Sequence, residues 1–558
     1  MKGGPGNDAL DGGIGSDLIL GGDGQDFTNG GANDNESFGG PGNDFMIAGA
    51  GADALFGDGG DDWIQGGSGQ DLLQGDHGAP FFDDPAQAKP GNDIMIGQVG
   101  ENDYDAEGGD DIMTANAAID RFAGAGGFDW AIHQYDTVGA NDDMKINQQL
   151  VGLPIQLVVN RDRWQETEAN SGSAFNDVIR GDDLERVVGP GGFAGCDALD
   201  PAGVARITGL NKLVTSFPSP LQPVIDNSVN RYCPLVGAGG TPSDPGSGNV
   251  WAEGNILLGG AGSDLLEGRG NNDIIDGDHA LTVRMSVRTD PANPATETST
   301  TDLMEHTATS GTFGAGTIGM TLQQAVFASL VDPGNLVAVR EITGMGTTPN
   351  RATPSDCGTP SPVNCDTALF SKTADQYVVT NNADGSTTVA DIAAATLFAK
   401  GDGIDTLWNI ENLQFADTVT PVAPTAVSAI GGVGEATVSW TPPQRNNVPM
   451  VVTSYNVEVT NAVTNAFVKT VTTTDGAATS LVVPTLAAGN YSFRVQAVKA
   501  AATPAAGPFS VPATATVTDP ALPGAPTILS VVAGSGSPPQ TGPRRHPLPP
   551  GSWPGPGT

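Results

Sequence analysis

The chain has 558 residues, with 78 Gly, 41 Pro and only 6% aromatic residues, which excludes one large conventional core and suits about three or four domains. Its 64 acidic and 24 basic residues leave a net charge of −40, which excludes nucleic acid and anionic membranes as natural partners, because both need clustered Lys or Arg. No apolar run reaches the length of a membrane span, and the opening MKGGPG is not a signal peptide.

Residues 3–74 repeat every nine residues: GGPGNDALD, GGIGSDLIL, GGDGQDFTN, GGANDNESF, GGPGNDFMI, AGAGADALF, GDGGDDWIQ and GGSGQDLLQ. Position 6 is Asp8, Asp17, Asp26, Asp44, Asp53, Asp62 and Asp71, broken only by Asn35. Position 4 is glycine in the same frames and Asn33 in the odd one. Position 8 is mostly apolar (Leu10, Ile19, Met46, Leu55, Ile64, Leu73), with Thr28 and Ser37 as weak members. A disordered acidic linker has no reason to keep three columns in phase. Glycine pairs allow tight turns that aim carbonyls inward, and the position 6 carboxylate adds a hard oxygen ligand suited to Ca²⁺. The second half of each repeat reads as a short strand, with position 8 pointing in and positions 7 and 9 facing out. The pattern resembles the calcium-binding nonapeptide repeat of RTX proteins, a parallel β-roll. The resemblance implies that two repeats make one coil and that each ion sits between neighbouring turns on the same side. The first repeat begins at Gly3 with no cap before it, so the chain reads as the downstream part of a longer protein or a truncated reading frame.

After Leu73 the register breaks at GDHGAPFFDDPAQA and resumes at residue 88 as AKPGNDIMI, GQVGENDYD and AEGGDDIMT. Asp93 and Asp111 hold the ligand column there, with Asn102 as a substitute beside Asp103. A weaker turn at Asp129 closes a first block over residues 1–132. Residues 133–250 lose the repeat and read as an α/β insertion, with half a repeat, FNDVIRGDD, around Asp177. A second block spans 251–280 and contains GGAGSDLLE and GRGNNDIID, with Asp264 and Asp273 as ligands and Leu266 and Ile275 as core. Both blocks run into Gly-Asp-His, at Gly75–His77 and Gly277–His279. These histidines read as turn residues closing the roll, because Ca²⁺ prefers oxygen. Residues 281–420 read as α+β: LTVRMSVRT as a strand, MTLQQAVFASLV as a helix stopped before Asp332-Pro333, and LVAVREI as a second strand. The segment closes with KGDGIDTLWNIENLQFAD, which resembles the final turn of RTX modules, with Asp405 in the ligand column.

Four cysteines, Cys196, Cys233, Cys357 and Cys365, permit three pairings; none forms CxxC and no histidine lies near, which speaks against zinc. Two readings stay open: local bridges Cys196–Cys233 and Cys357–Cys365, which suit an extracellular protein, or buried free thiols.

The succession NDYDAEGGDDIM, GFDW, RDR, FNDVIRGDD, GGAGSDLLEGRGNNDIIDGDH, VREI and GIDTLWNIENLQFAD, within residues 3–420, resembles the region downstream of the catalytic domain in large bacterial RTX haem peroxidases of the animal type. Such enzymes need distal and proximal histidines and a distal arginine on helices. Here the histidines are His77, His133, His279, His306 and His546, none in a helical frame, so the resemblance implies parentage without activity.

Residues 421–519 change to Val, Thr and Ala with alternating strands: EATVSWTPP, SYNVEVTNA, TSLVVPTL, NYSFRVQAVKA and ATATV. Their order resembles a fibronectin type III domain, with Trp440 as the core tryptophan and Leu486 and Tyr491 before strand F. Residues 520–558 begin like the first strand of another sandwich (LPGAPTILSVV) and continue as a Pro/Gly-rich tail.

No HExxH, GxSxG or GxxxxGK[ST] motif is present. Acid pairs such as Asp61-Asp62, Asp110-Asp111 and Asp182-Asp183 read as calcium ligands or solvated turns, and Arg180-Gly181-Asp182 as a chance RGD. The expected fold is mainly β: a parallel β-roll (RTX nonapeptide solenoid) with α+β insertions, then a fibronectin type III β-sandwich. The expected function is calcium ion binding by a secreted module that folds on Ca²⁺ binding and is non-catalytic. The alternatives are the C-terminal part of an RTX haem peroxidase and a surface adhesin or toxin-like protein. Expected partners are several Ca²⁺ ions and a cell-surface or matrix partner for the fibronectin type III domain, with type I export of the intact protein.

Overall fold

The structure is a computed structural model that describes residues 1–76, 91–146, 162–184, 197–220, 249–344, 364–393, 401–416, 420–445, 448–450, 452–499 and 505–519. Successive short strands alternate between two parallel sheets. One is eight-stranded and runs from Lys2–Pro5 to Arg163–Gln165; the other is thirteen-stranded, beginning at Ala9–Asp11. Partners along a sheet lie eighteen residues apart, as in Ile94↔Ile112 and Met95↔Met113, so two nonapeptides make one coil. At the first break in the repeat Trp63 pairs with Ile94 and Ile64 with Met95, so the sheet keeps its register.

Position 8 fills the space between the sheets. Leu55, Ile64, Leu73, Met95, Met113, Leu257, Leu266 and Ile275 form one fully buried row. Aromatic rings stack along the same row, Tyr104 on Phe122 at 5.1 Å and Phe122 on Trp164 at 4.9 Å. Thr28 and Ser37 are buried there too, without partners for their hydroxyls.

Residues 133–250 are not an α/β insertion in the part that is described. Arg163–Gln165 extends the first sheet and Ala169–Ser171 the second. Asn141–Asp143 and Val178–Arg180 start a five-stranded parallel sheet that continues through Leu265–Glu267, Thr367–Leu369 and Asn412–Gln414. The Trp164 N–H donates to the Ile146 carbonyl at 3.0 Å and joins this sheet to the first. The strands were hidden because Asp142 and Asn170 occupy inward positions that are apolar elsewhere. Among the described residues of 133–250 only Pro201–Arg206 is α-helical, capped by Asp200. The second block, 251–280, continues the same roll, since Ile256–Leu258 pairs directly with Ala169–Ser171. Strands of 364–416 likewise return to the roll, so 281–420 is not one independent segment. The thirteen-stranded sheet ends in an antiparallel hairpin, Tyr377–Asn381 with Thr387–Asp391, laid against Ile404–Trp408.

Positions 7 and 9 do not both face solvent. On the second sheet Phe27, Phe45, Ile47, Trp63, Ile94 and Ile96 are buried under a separate layer. That layer is a four-stranded antiparallel sheet containing His279–Arg288 and Leu336–Gly344, with the helix Leu322–Phe327. The helix starts in a capping box between Thr321 and Gln324 and ends six residues later, short of the Asp332-Pro333 stop. Leu281, Val283, Met285, Leu322 and Val326 supply its apolar face to the roll.

Residues 425–517 form a sandwich of a three-stranded and a five-stranded antiparallel sheet. Trp440 and Tyr455 meet at 5.0 Å in its core, and the Tyr491 hydroxyl donates to the Ala487 carbonyl at 3.0 Å, fixing the corner.

Candidate metal centre

The position 6 aspartates fall into two columns, one at each edge of the roll. In the first, Asp8 N–H donates to Asp26 Oδ1, Asp26 to Asp44, Asp44 to Asp62, Asp62 to Asp93 and Asp93 to Asp111, all at 2.6–2.7 Å. The ladder continues through Asp129 to Glu168 Oε2, and later from Asn255 to Asp273 and Asp273 to Asp405. In the second column Asn35 donates to Asp53 at 2.6 Å and Asp53 to Asp71 at 3.0 Å, and Asp177, Asp264 and Asp366 follow. From Asp26 onward one carboxylate oxygen of each column aspartate therefore ties adjacent coils together.

The other oxygen is left over. Oδ2 of Asp8, Asp17, Asp26, Asp44, Asp53, Asp62, Asp71, Asp93, Asp111 and Asp264 is buried with no hydrogen-bond partner. A buried carboxylate oxygen without a donor is costly, and a cation removes the cost. The surroundings fit a hard cation: a Cβ on Gly39 would come within 2.5 Å of Asp44 Oδ2 and 2.6 Å of the Gly57 carbonyl oxygen. The same approach recurs at Gly21, with Asp26 Oδ2 and the Gly39 carbonyl. Among the described residues no three His, Cys, Asp or Glu side chains converge on one point. Oxygen sites of this kind draw on one or two carboxylates and complete the shell with backbone carbonyls, as Ca²⁺ accepts.

Two positions in the second column have found another solution. Asn35 and Asn102 keep the ladder through Oδ1, accepting from Asp17 and Asp71, and their Nδ2 donates to the carbonyls of Asn33 and Gly100. The amide hydrogen there takes carbonyls that an ion would otherwise use. Asp129, Asp177, Asp366 and Asp405 are also buried in the columns; of these Asp366 had no sequence signal, since no glycine precedes it where the repeat has its pair.

A second ladder runs outside the first at position 5. Gln25 N–H donates to Asn7 Oδ1, Asp61 to Asn43, Asn92 to Asp61 and Asp110 to Asn92, at 3.0–3.1 Å. The recurrence of Asn and Asp at that position was the available signal. Asp61 and Asp110 thus serve this ladder beside the column members Asp62 and Asp111.

Burial raises the column carboxyls: Asp44 to about 8, Asp71 to about 7, Asp366 to about 8 and Asp264 to about 10, with Asp62, Asp93 and Asp111 also well above the ordinary range. The folded, metal-free roll therefore binds protons that the unfolded chain, with carboxyls near 4, has already released. Its stability is fully present below about pH 4 and is lost as pH rises through these folded values, between about pH 4 and 8 and beyond. Circular dichroism of the metal-free chain should accordingly show more β structure at pH 5 than at pH 8. An unchanged or opposite trend would mean that the carboxylates are already compensated.

The described histidines are committed elsewhere. His133 is buried between Asp136 (Nδ1, 2.8 Å) and Asp142 (Nε2, 2.6 Å), and Asn170 Nδ2 donates to the same Asp142 oxygen at 2.6 Å. Burial pulls its pKa down, but the two carboxylates outweigh it and hold the ring well above its usual value. His279 Nδ1 meets Asp276 at 2.9 Å, and His77 lies outside the described residues. In the RGD sequence Asp182 is buried and its N–H donates to Asn255. Cys365 is disulfide-bonded; the other three cysteines lie outside the described residues.

An acidic two-column roll followed by a β-sandwich defines the class. RTX calcium-binding nonapeptide repeats match residues 2–36, 38–78, 82–113 and 252–278, and a fibronectin type III domain matches 422–515. The chain thus carries calcium-binding RTX repeats and a fibronectin type III domain; such repeats are typical of secreted bacterial proteins. No helix among the described residues is long and apolar enough to cross a membrane. No curated protein matches the sequence. Solved structures with similarity include a human collagen α-1(XX) fibronectin type III domain (25% identity, 20% of this chain and 96% of that one, TM-score 0.16). A second is a myokine structure (20% identity, 17% and 95%, TM-score 0.15). The chain spans 43% of a third, the FN1–FN3 domains of chicken CNTN1 (20% identity, 24% of this chain, TM-score 0.17).

Proposed function

We propose that this chain is a secreted, non-catalytic module whose roll folds when Ca²⁺ binds, and whose fibronectin type III domain holds it toward a cell-surface or matrix partner. The observation that carries this reading is the pair of columns in which the second carboxylate oxygen of Asp8, Asp17, Asp26, Asp44, Asp53, Asp62, Asp71, Asp93, Asp111 and Asp264 is buried and unpartnered. Without a cation the columns repel and are desolvated, and the thin core cannot offset chain entropy. Calcium supplies the missing positive charge, so binding free energy becomes folding free energy. Secretion through a type I channel fits such a device, because the chain would stay unfolded where calcium is scarce and fold outside. Derivation from a larger peroxidase-related protein fits the ordered motifs within residues 3–420.

The test is far-UV circular dichroism of the full chain during a calcium titration, with magnesium as control. A cooperative gain of β signal specific to calcium is expected. A spectrum unmoved by calcium, together with no calcium binding by calorimetry, would sink the proposal.

A further inference from the structure

In the first column, position 2 of the repeat is Gly4, Gly22 and Gly40 over the first three coils, all with positive φ (104–129°). The next two coils carry Asp58 and Asp76 at the same position. Asp58 lies in register with Gly40 and keeps the left-handed backbone, φ 70°, which disfavours any residue but glycine and, less strongly, Asn or Asp. Asp76 is buried and accepts the N–H groups of Gly91 at 2.8 Å and Gly108 at 3.3 Å. Two acids thus take up positions where the repeat uses glycine.

Both acids lie close to the ligand column. The Asp58 charge bears on Asp44, and that of Asp76 on Asp62, Asp93 and Asp111. All four column aspartates are buried and keep an unpartnered Oδ2. A Cβ on Gly57 would run into both Asp62 Oδ2 and the Gly75 carbonyl, so the unpartnered oxygen and a carbonyl converge beside Asp58 and Asp76. Cations also approach from the covering elements: Arg206 meets Asp110 at 2.6 Å, and Arg340 donates to the Asn92 carbonyl and feels Asp61, Asp93 and Asp111. Two guanidinium groups leave the cluster with a large excess of negative charge.

We propose that Asp58 and Asp76 are additional calcium ligands, which make the coils between Asp44 and Asp111 the tightest calcium sites of the roll and the first to fill. The inference rests on the calcium-binding reading above. Calcium affinity rises with the number of carboxylates and the rigidity of the site, and here each coil contributes two carboxylates where the earlier coils contribute one.

The test is calorimetric calcium titration of the full chain as wild type, Asp58→Gly and Asp76→Asn, with Asp11→Asn as a control remote from the column. Glycine is native to position 2 in neighbouring coils, and Asn retains an acceptor for Gly91. The tightest class of sites should weaken about tenfold in each variant, with the weaker class and the control unchanged. If Asp58→Gly fails to fold at saturating calcium, Asp58→Asn is judged by the same criterion. A tight class unchanged in both variants overturns the inference while leaving calcium binding intact. A wild type that binds no calcium overturns the calcium reading itself.

Discussion

Asp62→Ala is expected to raise the calcium concentration needed to fold the roll by tenfold or more, and to broaden the transition. The substitution deletes two things at once. Asp62 Oδ1 accepts the Asp44 N–H at 2.6 Å, a hydrogen bond to a charged group, whose loss costs about 1.5–3 kcal/mol. Its Oδ2 is one of the buried oxygens free to meet an ion. A change of 1.4 kcal/mol already corresponds to about tenfold in an equilibrium constant. Asp62→Asn separates the two losses, because Asn35 and Asn102 show how an amide keeps the ladder and fills the ion's place with its own hydrogens. The Asn variant should therefore fold at high calcium with nearly native stability but bind fewer ions. Calorimetry and denaturant unfolding at saturating calcium distinguish the pair. Equal behaviour of both variants and the wild type would remove Asp62 from the ligand set.

Trp63→Ala should destabilise the calcium-loaded roll by about 3–5 kcal/mol, the cost of emptying a large, fully buried aromatic site. Trp63 lies on the outer face of the second sheet, between Phe45 and Ile94, in the cluster shared with Val283, Met285, Leu322 and Val326. Its Nε1 donates to Gln65 Oε1 at 2.9 Å. Gln65 in turn accepts the Met304 N–H at 3.0 Å and donates to Glu305 at 2.6 Å, pinning the outer layer to the coil. The variant should lose stability in denaturant titrations and expose residues 281–344 to protease before the repeats themselves. A loss below about 1 kcal/mol would mean that the layer is held by other contacts.

How much of this was legible depends on which face of a strand a residue occupies. Ile64, Leu73 and Met95 announced themselves because every second residue in the strand half must point into the roll. Phe45 and Trp63 were equally plain as large apolar residues, but nothing local says that a sheet from residues 279–344 will cover them. Asp142 and Asn170 had the opposite effect. They sit where the pattern demands an aliphatic side chain, and the hydrogen bonds that His133 and Asn170 each make to Asp142 compensate their burial. The ligand columns were readable at Asp8 through Asp71 because glycine flanks them. At Asp162 and Glu168 the same ladder is held by residues with no repeat signature, since a hydrogen bond to a backbone N–H needs only a carboxylate at the right height.

The pairing of Ile275 with Leu407 has a consequence for the order of assembly. The Asp273 to Asp405 rung joins residues 132 apart, whereas rungs near the start span 18. Closing a long loop costs more entropy before any contact rewards it, so early coils can zip locally while the last must wait for a distant strand. The antiparallel hairpin at 377–391 then seals the stack only once Ile404–Trp408 has paired with both Thr387–Asp391 and Ile274–Asp276, which leaves the far end of the roll as the last part to form.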